Sequence, residues 1–242
     1  MSRWWMLLLW LMPSWIVAQP LPPLLLTTHE MPPYSMREGL GATGLAARRV
    51  DCALQAMQQP FQLRLLPWKR AQHEVQLGRA DGFFAGARNV ERDGYAVASA
   101  VIAPQQWTWF QRAGATVHPD DPDFRFRAIV ASFLGAAMYD HLKQQGYPGL
   151  MQARDMDQLI DWLLTGKVDA VMAADLVMAY HLQRRGVGSN LIATPYRDKP
   201  LVVYFSKTLV AANPGFLPRF NEAVANCIAD EADQSGGPEL QL

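Results

Sequence analysis

Residues 61–86 read FQLRLLPWKRAQHEVQLGRADGFFAG, and their pattern decides the fold. Phe61 to Leu66 alternates like a strand and stops at Pro67-Trp68, because proline cannot donate to a ladder. Lys69 to Leu77 reads as a helix closed by Gly78, and Ala80 to Gly86 as a short buried strand reaching a glycine turn. Working back toward the N-terminus, Leu45 to Gln58 carries Leu45, Ala46, Val50, Ala53, Leu54 and Met57 at helical spacing. Before it, the apolar strand Leu24 to Thr28 is closed by His29-Glu30-Met31-Pro32-Pro33-Tyr34, where two prolines force a loop. The order strand, helix, strand, helix, strand predicts a parallel sheet wrapped by helices, an α/β fold.

A second round follows. Val101 to Phe110 is extended and aromatic, with Pro104 inside it, and Phe126 to Ala131 reads as a strand. Helices are predicted over about Ala136 to Gln145, Asp157 to Leu164 and Leu176 to Arg185. Val168 to Ala173, Ile192 to Tyr196 and Leu201 to Ser206 are extended, and Pro214 to Glu231 is an amphipathic helix. Gln234 to Leu242 shows no periodicity.

The first eighteen residues, MSRWWMLLLWLMPSWIVA, have a basic start, a short apolar run and small residues at the end. That is the form of a secretory signal peptide cleaved near Ala18, and the run before Pro13 is well short of the roughly 20 residues that span a bilayer. An uncleaved anchor is the competing reading. The mature chain, from Gln19 to Leu242, suits two lobes of about 100 residues each. Loss of Arg3 would leave balanced charge with one excess acid, which argues against nucleic acid or anionic membrane as partner. Cys52 and Cys227 are too far apart for a CxxC motif. In an oxidising compartment they are a disulfide or two buried thiols. The five histidines show no metal-ligand spacing, and no nucleophile, base and oxyanion donors assemble, so neither cofactor nor metal is expected.

In open α/β sheets ligands sit beyond the C-terminal strand ends. Glu30 and Tyr34 lie at one such end, where a carboxylate and a phenol can meet a small polar solute; a solvated carboxylate is the plain alternative. Trp68 and Arg70 lie at the next and suit stacking plus charge recognition, against a buried Trp and a surface Arg. Phe84, Ala85 and Gly86 bring backbone close to the cleft, with one of Phe83 and Phe84 expected in the core. Ser132, Phe133, Leu134 and Gly135 turn from strand into helix, a natural anion seat.

The stretches TTHEMPPYS (27–35), PWKRA (67–71), LGRADGFFAG (77–86), VERDGYAVAS (90–99), RAIVASFLGAAMYDHLKQQGY (127–147), LIDWLLTGKVDAVMAA (159–174) and VVYFSKTL (202–209) together resemble the bacterial extracellular solute-binding proteins of family 3, the polar amino-acid receptors of ABC importers. The resemblance covers nearly the whole mature chain. It implies a two-lobed periplasmic-binding-protein-like type II fold with the ligand cleft between lobes, crossing near Pro104 to Gln106 and Tyr196 to Pro200. The first lobe is then discontinuous, residues 19–106 and 198–242, with residues 107–197 as the second. In the family an Arg in a T-x-x-R setting grips the ligand's α-carboxylate; Arg92 matches its end, although Asn89-Val90 replaces the hydroxyl residues. The family's amino-group Asp would fall at Ala174, but the acid stands one later at Asp175, which could instead cap the helix from Leu176.

The resemblance implies a periplasmic, monomeric protein that clamps a small polar solute, an amino acid or related carboxylate, and delivers it to an ABC-importer permease. The alternatives are a sensor module feeding a membrane receptor and a dehydratase or hydrolase on the same fold. The discontinuous topology also brings Cys52 and Cys227 to one lobe, where they can pair.

Overall fold

The computed structural model describes residues 21–39, 41–133 and 137–235. The signal-peptide reading of residues 1–18 and the expectations for Leu134 and Gly135 lie outside them. The first region runs β1 (Leu24–Thr28), the hairpin β2 (Met36–Glu38) and β3 (Gly41–Thr43), α1 (Leu45–Ala56), β4 (Phe61–Leu65), α2 (Trp68–Gln76), β5 (Gly82–Ala87), a short α3 (Val90–Asp93) and β6 (Ala96–Ala103). The second runs β7 (Gln106–Arg112), α4 (Phe124–Arg127), β8 (Val130–Phe133), α5 (Ala137–Gln144), β9 (Leu150–Ala153), α6 (Met156–Thr165), β10 (Ala170–Ala174), α7 (Asp175–Arg185) and β11 (Leu191–Asp198). The chain then returns as β12 (Leu201–Ser206), α8 (Lys207–Ala212) and α9 (Phe216–Ser235).

Two five-stranded sheets result, in the orders β4-β1-β5-β12-β6 and β11-β7-β10-β8-β9. In the first, β1 pairs in parallel with β4 and β5, as the strand–helix–strand pattern of residues 61–86 requires. The returning β12 inserts antiparallel between β5 and β6, so both its edges are paired, and helices pack over its faces. This explains why LVVYFS has no polar alternation: all six of its residues are buried. Behind it, Phe205 meets Phe216 and Phe220 edge-on at 4.9 and 4.8 Å between ring centres, which docks α9 on the sheet. The chain passes between sheets at Pro104-Gln105 and Lys199-Pro200, and the Lys199 amide donates to the Gln105 carbonyl at 2.8 Å, tying the two crossings together. Strand β11 extends to Asp198, so Tyr196 and Arg197 belong to it and the return crossing is shorter than the sequence implied.

Several elements differ from the sequence expectation. Residues 126 and 127 end a helix, and the strand begins only at Val130. The alternation of Phe124-Arg125-Phe126-Arg127 imitates a strand, yet only Phe124 is buried while Phe126 stays 63% exposed. The extended run from Val101 to Phe110 forms two strands, broken at Pro104-Gln105. The terminal helix starts at Phe216, which leaves Pro218 in the first turn where its missing N–H costs nothing, and α8 precedes it. The β2–β3 hairpin and β9 have no clear apolar alternation and were not expected.

Cys52 of α1 and Cys227 of α9 form a disulfide, with Cα atoms 6.2 Å apart. Beside it, Arg49 pairs with Glu231 at 2.8 Å and donates to the Ile102 carbonyl. The returning helix is thus fixed to the first.

Candidate functional site

Strands β1 and β5, and the turn from β4 into α2, bring their C-terminal ends to one place, and four side chains collect there. Arg92 on α3 is only 7% exposed. Its Nε donates to Gln72 Oε1 at 2.8 Å and its Nη1 to the Ala87 carbonyl at 2.6 Å. Its guanidinium carbon lies 5.0 Å from the centre of the Trp68 ring. Among the described residues it forms no ion pair. Burial pulls the guanidinium's pKa below its ordinary value, against the opposing pull of Tyr204, Tyr95, Glu91 and Asp93 nearby.

Trp68 opens α2 and also packs, tilted by 37°, against the ring of His29 at 4.3 Å; His29 is the first residue after β1. His29 Nδ1 is enclosed and has no hydrogen-bond partner among the described residues. Burial first, and the Arg92 charge second, lower the imidazole pKa from 6.5 to about 4, so it is neutral at pH 7. Gly86 makes this packing possible: a Cβ there would lie 2.9 Å from the Trp68 ring and 3.5 Å from Arg92 Nη1. The preceding Ala85 has φ of 63°, where the register of β5 on β12 shifts between Val202 and Val203. This bulge turns the strand just before the Arg92 cluster.

Tyr204, in the middle of β12, holds α3 in position. Its hydroxyl accepts from the Asn89 amide at 2.9 Å and donates to Asp93 Oδ1 at 2.9 Å, so it brackets both ends of the short helix. The Asn89 side chain completes the cap by accepting from the Glu91 amide at 2.7 Å.

In the second sheet, Ser132 near the end of β8 is fully buried, and its hydroxyl has no partner among the described residues. Phe133 follows half-buried against the core. Ala174 is buried at the end of β10 and supplies the N-cap of α7 with no side-chain hydrogen bond, so Asp175 is the first helical residue and not its cap. Asp175 Oδ1 accepts from the Gln106 amide at 3.2 Å, at the first crossing.

Other expectations require correction. Tyr34 is not a cleft wall: it is fully buried, its hydroxyl donates to the Pro104 carbonyl at 2.8 Å, and Asp175 lies beside it. Burial and then the Asp175 charge raise the phenol's pKa. The loop is committed because the Pro33 and Tyr34 carbonyls accept from the first amides of α1, close over Gly44, where a Cβ would come within 2.5 Å of Pro33 O. Glu30, by contrast, accepts from the Arg37 amide and lines a cavity with Tyr180 and His181 of α7. The Arg70 side chain, 67% exposed, faces Glu74 along α2, a surface pair. Phe83 and Phe84 are both core, so only the backbone of that stretch reaches the strand ends. The sequence reading missed His29, Gln72 and Tyr204; the position of His29 directly at a strand end was the one available signal.

Two cavities lie elsewhere. One of about 410 Å³ is lined at the crossings by Pro104, Gln105, Gln106, Asp175 and Asp198, and one of about 500 Å³ lies between the β2–β3 hairpin and α7. Neither is lined by Trp68, Arg92 or Ser132. Among the described residues no group of three or more His, Cys, Asp or Glu side chains could hold a metal ion, and no helix is long and apolar enough to cross a membrane.

No family model and no curated protein matches this sequence. Solved structures do. A histidine kinase sensor domain with similarity to periplasmic binding proteins superposes with a TM-score of 0.74 at 15% identity, covering 89% of this chain and 94% of its own. The GluR0 ligand-binding core from Nostoc punctiforme, in complex with L-glutamate, gives 0.71 at 16% identity over 88% and 96% of the two chains. The amino acid ABC transporter substrate-binding protein AbpA from Streptococcus pneumoniae, bound to L-arginine, gives 0.68 at 13% identity over 86% and 90%. Two sheets joined by two crossings, a returning strand inside the first sheet and these superpositions lead to one conclusion: the chain has the two-lobed fold of the periplasmic binding proteins.

Proposed function

We propose that this protein is a periplasmic solute receptor that closes two lobes on a small carboxylate-bearing solute, with residues 19–106 and 198–242 as one lobe and residues 107–197 as the other. The observation that carries this reading is Arg92: a buried guanidinium, braced by Gln72, Ala87 O and Trp68, that forms no ion pair among the described residues. A planar fork held in that way fits an incoming carboxylate, which lysine could match only in part. In this reading the Ser132 hydroxyl of β8, buried and without a partner among the described residues, is the donor that the second lobe contributes. The role is binding and not catalysis. Export through the signal peptide of residues 1–18 places the receptor in the periplasm, where as a monomer it delivers its solute to an ABC-importer permease. The sensor-domain neighbour favours a second reading, in which the same clamp feeds a membrane receptor.

The test is calorimetric titration of small carboxylates into the purified chain and two variants. Arg92→Ala is expected to lose roughly 2–5 kcal/mol of binding and Arg92→Lys to recover part of it. Small-angle scattering should show compaction in the liganded wild type. Unchanged affinity in both variants would remove Arg92 from the site. Uptake of the bound solute that stops when the chain is deleted supports the importer, and a lost transcriptional response with intact uptake supports the sensor.

A further inference from the structure

We propose that the cavity at the crossings is a second binding site, independent of the Arg92 cluster, and that it takes a small organic cation: an ammonium group on a short apolar body. The two passages of the chain between the sheets form its walls. At about 410 Å³ it lies within the roughly 300–1,000 Å³ of small-molecule sites. Val101, Pro104 and Pro200 give it apolar surface, and Asp175 and Asp198 give it two carboxylates. Among the described residues no Lys, Arg or His side chain lines it. Lys199, although it stands between Asp198 and Pro200, turns its ammonium over Trp107, 5.1 Å from the ring centre.

Both carboxylates keep free acceptor capacity. Asp175 Oδ1 accepts from the Gln106 amide at 3.2 Å, and the Tyr34 hydroxyl lies beside the same carboxylate. Asp198 Oδ1 accepts from Gln106 Nε2 at 3.0 Å. Neither acid forms an ion pair among the described residues. A carboxylate has about four acceptor positions, so on each of them places stay open. Nor is Asp175 used as a helix cap, because Ala174 holds that position. An independent observation comes from Gln105. It lines the cavity and is only 7% exposed, yet its side-chain amide has no hydrogen-bond partner among the described residues. Its backbone carbonyl alone is engaged, by the Lys199 amide. A buried amide without a partner is destabilising, and its oxygen can accept an N–H from an occupant. Two negative charges and an amide oxygen around apolar walls select a cation that carries N–H groups and carbon. An anion would be repelled. A metal ion would gain little from apolar walls and only two acids, since hard cations take about six oxygen ligands.

The experiment is calorimetric titration of the full chain with n-butylammonium, putrescine and choline, and with 1-butanol, butyrate and magnesium chloride as neutral, anionic and metal controls. Wild type, Asp175→Asn, Asp198→Asn, Gln105→Leu and Arg92→Ala are compared, with the urea midpoint of each. Expected is at least one of the three organic cations binding, weakened roughly tenfold or more in each Asp→Asn variant, because a charge-assisted contact is lost. Gln105→Leu should also weaken it while keeping its urea midpoint, since that side chain gives up no hydrogen bond. Arg92→Ala should change it by less than about twofold, as a site with no shared partner. No binding by any of the three cations, unchanged affinity in both Asp→Asn variants, or equal binding of 1-butanol or butyrate overturns the inference. Magnesium binding that the same variants abolish overturns it in favour of a metal site. Cation binding that disappears in Arg92→Ala joins this cavity to the Arg92 site and overturns the claim of a second one. The carboxylate reading of Arg92 is scored separately, by its own titrations, and stands or falls without this result.

Discussion

His29 shows how one side chain can be made inert by its surroundings and leave a pH signature. Its ring packs tilted against Trp68, with Nδ1 enclosed and a guanidinium nearby, so protonation would place a second cation in a buried cluster. With a folded pKa of about 4 against 6.5 in the unfolded chain, the unfolded state takes up the proton first. Stability from this group is complete above pH 6.5 and is lost as pH falls toward 4, by up to ~3 kcal/mol. Urea unfolding of the wild type and His29→Gln between pH 7.5 and 4 should show a shallower acid slope in the variant; parallel slopes would mean that the imidazole titrates normally. The sequence offered no periodicity or spacing for a single His beside Glu30. Arg92, by contrast, drew attention through the order of motifs around it, because its place just after a strand is a local feature of the chain. Arg70 misled for a related reason: a cation beside Trp68 is adjacent in sequence, but on α2 the next residue points away from the cluster, toward Glu74.

Helix α3 is four residues long and could not persist alone, since nucleation of a single turn is unfavourable. It is kept by its Asn89 cap and by Tyr204, a residue of β12 that joins the sheet after the whole second lobe has been made. Tyr204→Phe keeps the ring stacked at 5.1 Å on Phe83 but leaves the Asn89 amide and Asp93 without their partner. We expect a loss of roughly 1–3 kcal/mol in urea unfolding and a weaker hold on carboxylate, because Arg92 is carried by that turn. A variant with native stability and native affinity would show α3 to be fixed by its cap alone. Most elements were readable from pattern, as strand β12 was, because a run buried on both faces has no polar alternation to confuse it. The β2–β3 hairpin, β9 and α4 were not, because elements of three or four residues leave hydrophobic spacing little to show.

At the scale of the whole molecule, one disulfide closes a loop of 175 residues and binds α9 to α1, across which the rest of the chain leaves and returns. In the chain-entropy picture such a closure stabilises by up to about 5 kcal/mol. The Cys52→Ser, Cys227→Ser double variant should therefore melt well below the wild type under non-reducing conditions, and thiol titration of the unfolded, unreduced wild type should find no free thiol. Equal melting temperatures would mean that the Phe205, Phe216 and Phe220 packing holds the returning helix without it. The alternation of strands and helices, the break at Pro104, the returning apolar strand and the positions of the two cysteines were all in the sequence, because they depend on which neighbours along the chain are apolar and where the chain must turn. The state of each polar group was decided only by tertiary contact. Tyr34 is sealed at the crossing by Pro104 O, Asp175 is held by the Gln106 amide, and Arg92 is buried and braced by Gln72. Each of those outcomes turns on a partner far away in sequence, and a hydrogen bond is formed or left unmade in space, not along the chain.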